Sequence, residues 1–139
     1  MIRGTLMVAA AFILGAGVVI AARHDEKHEA VRPLAVREIA EKLDGKETNA
    51  TAVEVTFEPG QAGASHRHPG PAFGYVLEGE YEWAINDNES KIFKPGETFY
   101  EPTGCLHRVS KNPGKVKTRV VAWVLHPRDA KDLVIPVEK

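Results

Sequence analysis

From Thr51 onward the chain is a succession of short runs rich in β-branched and aromatic residues, each closed by Gly, Pro or Asn, and this punctuation limits what it can fold into. Thr51 to Phe57 (TAVEVTF) stops at Pro59-Gly60. Phe73 to Leu77 leads through Glu78-Gly79 into Glu80 to Ile85 (EYEWAI), which ends at Asn86-Asp87-Asn88. Lys91 to Lys94 stops at Pro95-Gly96, Thr98 to Glu101 at Pro102-Thr103-Gly104, and His107 to Ser110 at Asn112-Pro113-Gly114. Thr118 to His126 (TRVVAWVLH) is the longest run, and Leu133 to Val137 carries Pro136 and so suits an edge. Short strands at this spacing predict an all-β antiparallel sandwich or barrel.

Three segments are expected: residues 1–22, an export signal or membrane anchor; residues 23–50, a charged linker and lead-in; and residues 51–139, the β-barrel domain. Met1-Ile2-Arg3 and the apolar run from Leu6 to Ala22, ended by Arg23, His24, Asp25, Glu26 and Lys27, carry the first expectation. They place the protein outside the cytoplasm, periplasmic or secreted, or tether it to a membrane by residues 5–22. In the lead-in, Leu34 to Leu43 fits a short helix ended by Asp44-Gly45, or an edge strand followed by a turn. The formal net charge of -1 offers no basic field for a polyanion, so nucleic acid is not an expected partner. Cys105 is the only cysteine, which rules out an internal disulfide.

The chemistry centres on His66-Arg67-His68. On an extended segment alternate side chains share a face, so both imidazoles can converge on one ion while Arg67 turns away. His107 follows the second Gly/Pro-rich turn. Imidazole is the commonest protein ligand for divalent transition metals.

Together these segments resemble the cupin superfamily of small β-barrels. Its first motif, G-x5-H-x-H-x3/4-E-x6-G, is matched at Gly60, His66, His68 and Gly79; its second, G-x5-P-x-G-x2-H-x3-N, at Gly96, Pro102, Gly104 and His107. The resemblance implies a single double-stranded β-helix, or jelly roll, with a metal held inside the barrel by His66, His68 and His107. Two positions depart from the pattern. The glutamate position falls on Ala72, and the closing asparagine position holds Lys111, with Asn112 one place late. Three neutral imidazoles would leave a divalent ion its full charge and open positions for an anionic substrate. Alternatively Glu101 turns inward as a fourth ligand; strand parity so close to a turn leaves both options open.

The implied cofactor is a divalent transition metal, with Fe, Mn, Ni and Zn all compatible with the donors. Three-histidine members such as thiol and diketone-cleaving dioxygenases imply an oxidoreductase acting on a small anionic organic molecule. The alternative is a non-enzymatic module binding a small molecule or metal. Glu101, Tyr75 and Tyr100 are the candidates for moving protons, and Trp83 and Trp123 for lining the cavity with them. Cys105 reads as a turn residue and His126 as a satisfied surface histidine. The resemblance also implies association as a homodimer.

Overall fold

The structure, a computed structural model, describes residues 29–137. The segment expected to be an export signal or anchor lies outside these residues. Ten strands follow in order: β1 (Ala30–Leu43), β2 (Lys46–Phe57), β3 (His66–Arg67), β4 (Ala72–Glu78), β5 (Tyr81–Ile85), β6 (Lys91–Phe93), β7 (Thr98–Glu101), β8 (His107–Lys111), β9 (Thr118–Pro127) and β10 (Ile135–Pro136). They form two five-stranded sheets, ordered β1-β2-β9-β4-β7 and β10-β3-β8-β5-β6, with every pairing antiparallel. This is the all-β jelly roll expected from the sequence.

Paired strands begin at Ala30, upstream of the Thr51 start read from the pattern, and the lead-in takes its extended form. Asp44 and Gly45 have φ of 50° and 76°, the left-handed pair of a two-residue hairpin turn that sets Leu43 opposite Lys46. β2 then pairs with β9 along an unbroken register from Thr48↔Pro127 to Phe57↔Thr118. This central pair carries the wall that faces the site.

Alternation sorts the side chains. On β4, Ala72, Gly74 and Val76 face inward while Phe73, Tyr75 and Leu77 face solvent; on β7, Phe99 and Glu101 face inward while Thr98 and Tyr100 face out. Phe57, Val76, Tyr81, Trp83, Ile85, Phe99 and Val120 make one buried cluster. Burying each large apolar member is worth roughly 1.5–3 kcal/mol. Gly74 is part of this packing, because a Cβ there would stand 1.9 Å from Phe99 Cζ; the ring occupies the missing side chain's space.

The motif glycines have a backbone reason. Gly60, Gly79, Gly96 and Gly104 all adopt positive φ, between 70° and 92°. Gly79, between β4 and β5, also lies against the chain before β9, where a Cβ would come within 2.5 Å of Lys117 O. Asn112, the residue one place late in the second motif, is fully buried; its Nδ2 donates to Phe57 O at 3.2 Å and Val116 O at 2.7 Å, and its Oδ1 accepts from Gly114 N at 2.9 Å. It ties the β8–β9 loop to the end of β2.

Gly79→Ala combines left-handed strain with a backbone clash, so it is expected to lower stability by roughly 2 kcal/mol or more. Chemical denaturation against the parent checks this; a loss below about 0.5 kcal/mol would show that the turn is free to rearrange.

Candidate metal centre

The loop after β2 crosses to the second sheet and brings the first two histidines there. His66 on β3 is the direct cross-strand partner of His107 on β8, and their ring centroids are 4.9 Å apart. His68, two residues on, shares the same side, with its ring 4.7 Å from that of His66. Arg67 turns the other way and donates to Gly104 O, joining the two motif loops. One ring nitrogen from each histidine falls in a cluster no wider than 4.8 Å.

Each imidazole has one nitrogen occupied by the protein. His66 Nδ1 lies 2.8 Å from Ala64 O and His68 Nδ1 2.6 Å from Leu133 O, contacts that require an N–H on Nδ1 and leave the lone pair on Nε2. His107 Nε2 lies 3.3 Å from Tyr81 Oη, which is 2.9 Å from Ser110 Oγ. With the proton on His107 Nε2, Tyr81 accepts from it and donates onward to Ser110. The nitrogens left over are His66 Nε2, His68 Nε2 and His107 Nδ1, and these face the interior.

They meet a carboxylate. Glu101 on β7 is 2% exposed, with Oε1 3.2 Å from His107 Nδ1 and Oε2 3.4 Å from His68 Nε2. Trp83 Nε1–H donates to Oε1 at 3.0 Å and holds the group in place. Glu101 is directly opposite Ala72 in the β4–β7 register, and Ala72 is itself buried on the inner face. Opposed Cβ atoms in an antiparallel pair are only about 5 Å apart, so a glutamate on either strand can reach the same point. The Glu101 carboxylate therefore stands where one on position 72 would reach.

Burial sets the protonation. It pushes Glu101 up to about 7, against which the Trp83 hydrogen bond pulls down. It pushes His107 down to about 3, with His66 and His68 adding to the effect, and it lowers His68 too. Burial thus favours the neutral form of His68 and His107, the form in which an imidazole binds metal. Glu101 Oε2 and His107 Nδ1 are buried with no hydrogen-bond partner of acceptable geometry. Two such orphans, pointed at the remaining histidine nitrogens, are a fit for a divalent cation.

The other candidates separate. Tyr75, Tyr100 and Trp123 are 39%, 50% and 44% exposed on the outer face of the first sheet, where Phe73 stacks at 5.0 Å on Tyr100. They cannot reach the donors, and the reason is parity: residues one removed from Ala72 and Glu101 point to the opposite face. Trp83 lies inside and positions Glu101. Cys105 packs at the edge of the apolar cluster, its thiol pushed up by burial and by Glu101. His126 is buried and satisfied by Thr51 Oγ1 and Pro127 O, each at 2.9 Å. Tyr81 was not among the sequence candidates, although its alternation with Trp83 and Ile85 along β5 marks it as inward-facing.

The family model described as Cupin domain matches residues 53–124. The chain belongs to the cupin family. No curated protein matches it in sequence. Among solved structures, a cupin-like fold recurs in an uncharacterised conserved protein with a double-stranded β-helix domain from Klebsiella pneumoniae subsp. pneumoniae MGH 78578, at 21% identity and TM-score 0.62 over 84% of this chain and 90% of that one. An oxalate oxidase is similar at 25% identity and TM-score 0.61 over 82% of this chain, and DMSP lyase DddQ from Ruegeria pomeroyi at 19% and 0.59 over 79%. This cupin spans only 57% and 52% of those two chains.

The cross-strand placement makes a transplant test possible. Glu101→Ala is expected to weaken binding of Mn(II) or Co(II) by about 100-fold or more, and adding Ala72→Glu to that variant is expected to recover most of the loss. Competition against a calibrated chelator measures both. A double variant no better than Glu101→Ala would show that positions 72 and 101 do not address the same point.

Proposed function

We propose that this cupin is a divalent-metal-dependent oxidoreductase acting on a small organic substrate, with His66, His68, His107 and Glu101 as the metal's ligands. The observation that carries the reading is that these four side chains line one cavity, so the donor set faces substrate space rather than packed core. A bound divalent metal supplies Lewis-acid and redox capacity there, and a nitrogen/oxygen donor set without thiolate suits Fe or Mn, with Ni and Zn also accepted.

The chain's own residues have defined tasks. Ala64 O and Leu133 O fix the tautomers of His66 and His68, and Trp83 fixes Glu101. Tyr81, whose phenol burial keeps protonated, orients His107 and presents an O–H to the cavity wall. Val120 and Val124 on β9 exclude water from the opposite side. The oxalate oxidase likeness supports redox chemistry on a small molecule, and the apolar segment up to Ala22 supports a place outside the cytoplasm, periplasmic or secreted if cleaved and membrane-tethered if kept.

Reconstituted protein, prepared without a histidine tag, is expected to hold about one metal per chain, with His66→Ala and His107→Ala each lowering affinity by at least about 100-fold. Less than about 0.1 metal per chain would overturn the metal site. For the Fe- and Mn-loaded protein, an oxygen electrode with small thiols, diketones and hydroxy acids is expected to register substrate-dependent uptake abolished by His107→Ala. Silence across that panel would replace the oxidoreductase with a ligand-binding module.

A further inference from the structure

The cavity above the four donors has a volume of about 100 Å³. That is small beside the roughly 150 Å³ that holds a benzene ring, and the cavity is partly open, so it suits a short chain whose far end lies toward the rim. Its far wall is aliphatic, made by Val53 and Val55 of β2 and by Val120, Ala122 and Val124 of β9. Val31, Leu133 and Val134 continue that character toward the more exposed rim. The polar groups are confined to the donor end, where Tyr81 and Ser110 join the ligands, and to one further residue, Glu29.

Glu29 precedes β1 and lies against the β2–β3 loop that leads to His66. Its Oε1 is 3.0 Å from the point a Cβ on Gly63 would occupy, and Gly63 N–H donates to Ser110 O at 2.8 Å. The carboxylate therefore stands beside the cavity wall at Ser110. No Lys or Arg is among the described residues lining the cavity. Its fixed ionisable charge is thus two carboxylates, Glu101 at the donors and Glu29 beside them.

We infer that this site selects a small, mainly aliphatic substrate carrying one metal-binding donor group and no second negative charge. The inference rests on the proposed metal site and names its substrate class. A divalent ion partly neutralised by Glu101 retains net positive charge for one anionic donor. A second carboxylate on the same molecule would be desolvated against valine side chains, would face Glu29, and would find no cation in compensation. A neutral polar group of the same size avoids both the ion desolvation and the repulsion.

Butyrate, succinamate and succinate separate these terms, because the last two differ in one charge at nearly constant size. Binding to the Co(II)-loaded protein at pH 8 is read from the visible absorption of the metal, with metal content measured on the same samples. Butyrate and succinamate are expected to bind, and succinate on the order of tenfold more weakly than succinamate. Glu29→Gln, on an edge segment outside the ligand set, is expected to narrow that gap by about threefold. A gap below about threefold in the parent, no narrowing in Glu29→Gln, or no binding of any of the three by metal-loaded protein overturns the inference. Protein that takes up no metal overturns the proposed function instead.

Discussion

A buried carboxylate costs several kcal/mol unless a cation meets it, and Glu101 is buried. Its partners in the protein are the indole N–H of Trp83 and two imidazoles that burial keeps neutral. Everything around it is arranged to hold that charge in position rather than to neutralise it. β7 aims Glu101 inward, the ladder with β4 places small Ala72 opposite so that the group has room, and β5 brings Trp83 to its Oε1. The three histidines then turn their unengaged nitrogens toward the same point. Such an arrangement is strained without a cation and favourable with one.

The backbone serves that point. The first sheet is held in register by the long β2–β9 pair, whose inner valines form the wall facing the donors. The second sheet contributes β3 and β8, and their single paired position, His66↔His107, is where the two sequence motifs meet in space. Glycines with positive φ make the tight turns that let segments far apart in sequence reach this meeting, and Asn112 closes the loop behind it.

The fold and the three-histidine cluster are legible because they rest on local signals. Gly and Pro at fixed spacing mark turns, and alternation puts His66 and His68 on one side. Glu101 was left open because it precedes Pro102 at a strand end, where one residue of register reverses the face; only its pairing with Ala72 settles it. The same rule explains the failure of Tyr75 and Tyr100. Once position 72 is inward, 73 and 75 must be outward, and 100 follows from 101. Tyr81 was within reach, since Tyr81, Trp83 and Ile85 alternate inside one short run. Glu29 was not, because its place beside Ser110 depends on how β1 enters the sheet rather than on any spacing in the sequence.

The most direct test of the account is the melting temperature of Glu101→Gln beside the parent, each with and without metal, at pH 8. Burial raises the Glu101 pKa from 4.5 to about 7, so in the metal-free protein the carboxylate opposes folding increasingly as pH rises from 4.5 through 7, reaching on the order of 3 kcal/mol above it. Glutamine keeps the shape and can keep the Trp83 hydrogen bond without the charge. The metal-free variant is therefore expected to melt above the metal-free parent, while saturating Mn(II) or Co(II) raises the parent far more than the variant and reverses the order. A variant that melts lower without metal and gains as much from metal as the parent would show that Glu101 is a structural residue and not the carboxylate of a metal site.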